Sequence, residues 1–195
     1  YRKAAEQGHP EAQNNVGSFY ENGRGVATDN AEAVKWYRKA AQQEHAGAQY
    51  NLASMYYMGT GVPVEYAEAV KWYRKAAEQG LVDAQFVLGS MYAKGMGVTA
   101  EQGEAYKWFS RAADQGNAEA QFRLGQMVQK GISVEADGAQ AAAWYRKAAE
   151  QGKALAQLNL GWCYASGLGV PLDLAEAAAW YRKAAEQGEP TAQVK

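Results

Sequence analysis

Apolar and small residues fall at Ala84, Leu88, Met91 and Tyr92, the i, i+4, i+7, i+8 spacing of a helix that buries one face. The block that holds them, AQFVLGSMYAKGMGV, has four relatives along the chain: AQNNVGSFYENGRGV, AQYNLASMYYMGTGV, AQFRLGQMVQKGISV and AQLNLGWCYASGLGV. Each begins 36 residues after the one before it, and Trp36, Trp72, Trp108, Trp144 and Trp180 mark a second pattern at the same interval. A fixed period of this length is the signature of stacked helix pairs, in which each copy buries its apolar face against the next.

The spacing predicts a helix A over about 9–22, 45–58, 81–94, 117–130 and 153–166, and a helix B over about 1–7, 29–43, 65–79, 101–115, 137–151 and 173–187. The expected organisation is a single array over 1–195, five helix-turn-helix periods with partial repeats at both ends. Helix A runs into a glycine (Gly23, Gly59, Gly95, Gly131, Gly167), the residue that closes a helix in the left-handed region without steric cost. Helix B opens with an acid and an acid or amide three residues on: Asp29/Glu32, Glu65/Glu68, Glu101/Glu104, Asp137/Gln140, Asp173/Glu176. This spacing predicts capping boxes. Its centre, WYRKAA, supplies large aromatics for burial and alanines for close helix approach. Glu44, in place of a closing glycine, is expected to relax to another geometry, because the left-handed region costs a non-glycine residue roughly 1–2 kcal/mol. Ser133, in place of the second turn glycine, and Val128, in place of a tyrosine, are further departures.

Composition adds limits. With 48% hydrophobic residues, 21% charged residues and 4 prolines, the chain suits an ordered helical protein. A net charge of -1 supplies no global field toward nucleic acid or an anionic membrane. No apolar run is long enough for insertion into a bilayer. Tyr1 falls inside a repeat and PTAQVK reads as the start of another helix A, so both array ends are expected to expose faces suited to a neighbour, with head-to-tail self-association as one outcome.

The pairing of AxxxxLGxxYxxGxGV with AxxWYRKAAxxG at 36 residues resembles the Sel-one-like repeat (SLR) family, relatives of the tetratricopeptide repeats, over essentially the whole chain. The resemblance implies an all-α, right-handed α-solenoid of antiparallel helix pairs, with helix A lining a concave surface and the protein serving as an adaptor. It also implies a bacterial, periplasmic or secreted setting, with the cytoplasm as the alternative.

Catalytic chemistry finds no foothold in the sequence. His9 and His45 lie one repeat apart without a third ligand and read as solvated turn residues, so no metal is expected. The GxG turns link helix to helix and lack the phosphate-loop lysine, so no nucleotide or other cofactor is expected. No SxxK motif occurs, and Cys163 stands in the column of Met55, Met91 and Met127, where it reads as a core residue.

A partner is therefore expected where the copies disagree on an exposed face. On helix A those columns form the stripe Glu11/Asn15/Ser18/Asn22 and its equivalents. The candidate residues are Asn15, Asn51, Ser54, Lys94, Arg123, Gln126, Asn159 and Trp162. Asn15, Asn51 and Asn159 share one column and are expected to form an amide ladder for an extended peptide, with Trp162 as an aromatic anchor. The expected function is a non-catalytic protein- or peptide-binding scaffold; the alternative is an architectural spacer or self-assembling array.

Overall fold

The computed structural model describes residues 1–188, so the expected helix start at PTAQVK lies outside the described residues. The described chain is all-α, built from 36-residue helix pairs, and divides into two compact units, Tyr1–Glu101 and Gln102–Lys195. The first unit holds α1 (Arg2–Glu6), α2 (Pro10–Asn22), α3 (Asn30–Gln42), α4 (Ala46–Met58), α5 (Tyr66–Glu78) and α6 (Val82–Lys94). The second holds α7 (Gln102–Asp114), α8 (Ala118–Lys130), α9 (Gly138–Glu150), α10 (Ala154–Ser166) and α11 (Leu174–Glu186). Within each unit every helix packs on the next in sequence. The even-numbered helices are helix A of the repeat and the odd-numbered ones helix B.

The helix starts carry half of a capping box. Oδ1 of Asp29 accepts from the Glu32 amide at 2.9 Å, and Asp137 and Asp173 do the same for Gln140 and Glu176. The reciprocal bond is absent because the cap residue's own N–H already donates to helix A, Asp29 to the Tyr20 carbonyl at 2.9 Å and Asp173 to that of Tyr164 at 3.0 Å. The acids three residues on turn outward instead, Glu32 to Lys35 at 2.8 Å and Glu104 to Lys107 at 2.7 Å. Glu65 makes no side-chain cap bond.

Glu44 does not relax. Its φ is +63°, and its amide and that of His45 donate to the carbonyls of Ala41 and Ala40 at 3.1 and 3.3 Å. Gly80 and Leu81 close the next helix B with the matching bonds to Ala77 and Ala76. These end bonds of the helix offset the left-handed strain, so the turn survives the loss of its glycine. Ser133 likewise stays at φ +66°.

The aromatic pair of helix B splits. Tyr37, Tyr73, Phe109 and Tyr145 are buried, whereas among the tryptophans only Trp36 and Trp108 are. Trp72, Trp144 and Trp180 are half-buried, and each is roofed by a cation one turn on: Lys75, Lys147 and Lys183 lie 4.7, 4.2 and 4.0 Å from the ring centroids.

Polar side chains also hold the stack. Gln13, Gln49, Gln121 and Gln157 are buried, and each donates to a carbonyl near the end of the preceding helix B, Gln49 to Ala41 at 3.2 Å. Each also accepts from the glutamine that ends the following helix B, Gln49 from Gln79 at 2.8 Å. One amide thus ties three successive helices and adds a second bond to a carbonyl that the closing turn already holds through its backbone amide. Gln49→Met keeps the volume but removes both bonds, and at about 0.5–1.5 kcal/mol net for each the pair contributes about 1–3 kcal/mol. The expected result is a loss of that size in urea denaturation; an unchanged midpoint would rule the clamp out as a source of stability.

Candidate functional site

Helix A buries its Ala, Leu and Met column against helix B, which leaves the neighbouring stripe facing outward. In the first unit Asn15, Asn51 and Ser54 are half-buried on this stripe and Lys94 is exposed at the end of α6. In the second, Arg123 is exposed, Gln126 and Asn159 are half-buried, and Trp162 keeps 36% of its surface open.

One amide contact crosses between α2 and α4. Nδ2 of Asn51 donates to Oδ1 of Asn14 at 3.0 Å, while Asn15 turns along its own helix to Oε1 of Glu11 at 3.4 Å. Asn159 belongs to the second unit and donates to the carbonyl of Leu155 at 2.8 Å. No direct Asn15–Asn51 bond forms, because the one-turn contact with Glu11 holds Asn15. Asn14 is the residue that sequence reasoning passed over. Its signal was a lone polar side chain in a column otherwise filled by Tyr50, Phe86, Phe122 and Leu158.

His45 is not a solvated turn residue. Its Nδ1 accepts from the amide of Ala48 at 3.0 Å, capping α4, and its Nε2 lies 2.7 Å from Oε2 of Glu11 on α2. With Nδ1 an acceptor, the Nε2 proton is the one that faces Glu11. His9 makes no such side-chain cap.

The hydrogen bond and charge attraction from His45 hold the Glu11 carboxyl below its ordinary value. A depressed carboxyl stabilises the fold above its unfolded value, and that contribution is lost as pH falls through the folded value. His45→Ala should therefore move the Glu11 titration, followed by carboxyl NMR, upward toward an ordinary glutamate. An unmoved midpoint would show that the two side chains are uncoupled in solution.

In the second unit Glu119 pairs with Lys153 and lies 3.4 Å from Arg123, whose other terminal nitrogen donates to Gln126 at 3.4 Å. Beside Trp162 a groove of about 590 Å³ opens between α10 and α11, lined by Ser166, Leu174, Ala178, Tyr181 and Arg182 among others. Burial pushes the Cys163 thiol up to about 11, so it stays protonated near neutrality and behaves as core. Among the described residues no three His, Cys, Asp or Glu side chains are placed to hold a metal ion, and no helix is long and apolar enough to cross a membrane.

The family model of the Sel1 repeat matches residues 1–9, 10–45, 46–81, 82–117, 118–153 and 154–189. Among solved structures, c5321, a protective antigen of uropathogenic Escherichia coli with an SLR fold, superposes with a TM-score of 0.96 at 45% identity over 98% of the chain. The chain spans 41% of the length of that antigen. A Sel1 repeat protein of Oxalobacter formigenes gives 0.86 at 41% identity, covering 95% of this chain and 74% of that one. Cysteine rich protein B of Helicobacter pylori, at 23% identity and a TM-score of 0.53 over 67% of this chain and 93% of its own, shares the fold. No curated protein matches the sequence.

Proposed function

The chain belongs to the Sel1 repeat family, and on that premise we propose that it is a protein- or peptide-binding adaptor whose partners contact the outward stripe of its A helices. Sel1 repeat proteins are generally non-catalytic scaffolds for protein interactions. The observation that carries the finer reading is the division of labour between columns. Positions that recur in every copy are spent on packing, as with Ala48 and Gln49, whereas Asn51, Arg123, Asn159 and Trp162 stand in columns that differ between copies and keep contact with solvent. A surface whose side chains are not needed for the stack is free to be specified by a partner.

Rigid helices suit this role, since preformed contact groups reduce the ordering cost of binding. The test is affinity capture with the wild-type chain and with an Asn51/Arg123/Asn159/Trp162 alanine variant, both verified as folded by circular dichroism. The proposal expects the variant to lose at least one partner that the wild type retains. Identical capture by both would remove the helix A stripe as the binding face.

A further inference from the structure

Beyond the helix A stripe, we propose that the turn between α4 and α5 carries a second docking surface, fitted to a peptide segment that sets an arginine beside aliphatic side chains. The apolar part is placed by contacts inside the first unit. The rings of Tyr57 and Tyr66 meet edge-on with centroids 5.4 Å apart, and the Tyr57 hydroxyl donates to Sδ of Met96 at 4.0 Å. Val64 folds over the end of α4, where a Cβ on Gly59 would come within 2.6 Å of its methyl group. Met58 stands between Tyr57 and Gly59 in sequence. Met58, Val64 and Tyr66 keep 58%, 51% and 39% of their surface open. No missing neighbour accounts for this exposure, since the following repeat is present and seats Gly97 on the Tyr66 carbonyl. An exposed cluster of large apolar side chains marks an interaction surface.

The repeat does not fix these side chains. The columns of Tyr57, Val64 and Tyr66 hold Glu21, Thr28 and Asn30 one repeat earlier and Ala93, Ala100 and Gln102 one repeat later. Leu172 and Leu174 are the apolar counterpart in the last copy, and there the intervening Asp173 spends its carboxylate on the amides of Ala175 and Glu176. Asp29 and Asp137 are likewise spent on capping. Glu65, between Val64 and Tyr66, makes no such bond, so its exposed carboxylate remains an uncommitted charge within the apolar segment.

The occupant follows from that charge. Of the neighbouring charged groups, Glu68 is paired with Lys71, and Lys94 and Glu101 bracket the loop of Met96 and offset each other, which leaves Glu65 as the unbalanced one. A carboxylate next to tyrosine rings suits a guanidinium, which pairs with a carboxylate through two N–H groups and stacks on aromatic faces. Aliphatic neighbours of that arginine would cover Val64 and Met58. The same carboxylate repels an acidic peptide, a phosphate backbone or an anionic lipid surface, and like-charge contact selects against such partners.

The experiment follows the methionine methyl signals of the 195-residue chain by NMR during titration with a short Ser/Gly peptide centred on Leu-Arg-Leu. The methyls of Met58 and Met96 are expected to shift and saturate, while those of the buried Met55 and Met91 stay in place. Affinity should fall about tenfold for the Leu-Glu-Leu and Ser-Arg-Ser versions of the peptide, and about tenfold in Glu65→Gln and in Tyr66→Gln, a side chain that the next copy carries at Gln102. Added salt should weaken binding. The Asn51/Arg123/Asn159/Trp162 alanine variant should bind the peptide as the wild type does, which separates this surface from the stripe. Equal or tighter binding of the glutamate peptide, no shift with any peptide, indifference to both single substitutions, or loss in the four-alanine variant alone would overturn the proposal. Phosphatidylserine vesicles that move the same methyl signals would also overturn it, by assigning the surface to a membrane.

Discussion

Gly97→Ala is expected to cost roughly 2–5 kcal/mol, while Gly25→Ala, the same turn position in the first full repeat, costs roughly 1–2 kcal/mol. Both glycines hold positive φ, +71° and +75°, so the left-handed strain is common to both. They differ in what lies above the α-carbon. A Cβ on Gly97 would sit 2.4 Å from the carbonyl carbon and oxygen of Tyr66, at the start of α5, whereas a Cβ on Gly25 would meet nothing within 4 Å. The extra loss is the overpacking term, because backbone at a helix start cannot rotate aside as a side chain does. The second glycine of the turn is therefore the seat on which one repeat rests against the previous helix B. Urea denaturation of the two variants checks this. Equal losses would reduce the glycine's role to its φ alone.

Tyr145→Ala should lose roughly 3–5 kcal/mol, as large buried aromatics do, and Trp144→Ala, its neighbour in sequence, only about 1–2 kcal/mol, since its ring packs at the edge of the core and is only partly enclosed. Tyr145 is 0% exposed, its ring lies 6.0 Å from that of Phe122, and its hydroxyl donates to Oε1 of Gln129 at 2.6 Å. The ring sits over Gly125 of α8 so closely that a Cβ there would approach it to 2.6 Å. Trp144 is half-buried beneath Lys147. Trp108, at 7% exposure, belongs with Tyr145 and should also lose roughly 3–5 kcal/mol as alanine. Thermal unfolding that ranked Trp144 above Tyr145 would reverse this assignment of inside and outside.

These two pairs show where sequence was legible and where it was not. Periodicity reports which face of a helix is buried, so the 36-residue unit, the all-helical class and the family could be read from Ala84, Leu88, Met91 and the recurring tryptophans. It does not report depth. Trp144 and Tyr145 are adjacent and equally apolar to a pattern, and only the packing of α9 against α8 and α10 separates them. Glu44 misled because the cost of its φ is local and visible in sequence, while the two closing bonds that offset it belong to the folded turn. The buried glutamines were not legible at all. A polar residue recurring in every copy gives no sign of its depth until its two partners, such as Ala41 and Gln79, are placed in space.

The stripe was legible as a set of columns and not as a set of bonds. Variation among copies marks the columns of Asn51 and Trp162 as ones the repeat does not fix. It cannot tell that Asn51 bonds Asn14 in place of Asn15, nor that His45 reaches back to Glu11, because both contacts cross between repeats.

The most direct measurement is side-chain NMR of the chain during titration with a captured partner. The adaptor account predicts that the outward side chains of a contacted unit shift together, Asn15 with Asn51 in the first unit or Gln126 and Asn159 with the Trp162 indole in the second, while the buried amides of Gln49 and Gln121 stay in place. Shifts gathered instead on the half-buried indoles of Trp72, Trp144 and Trp180, with the helix A amides unmoved, would contradict it and move the binding face to helix B.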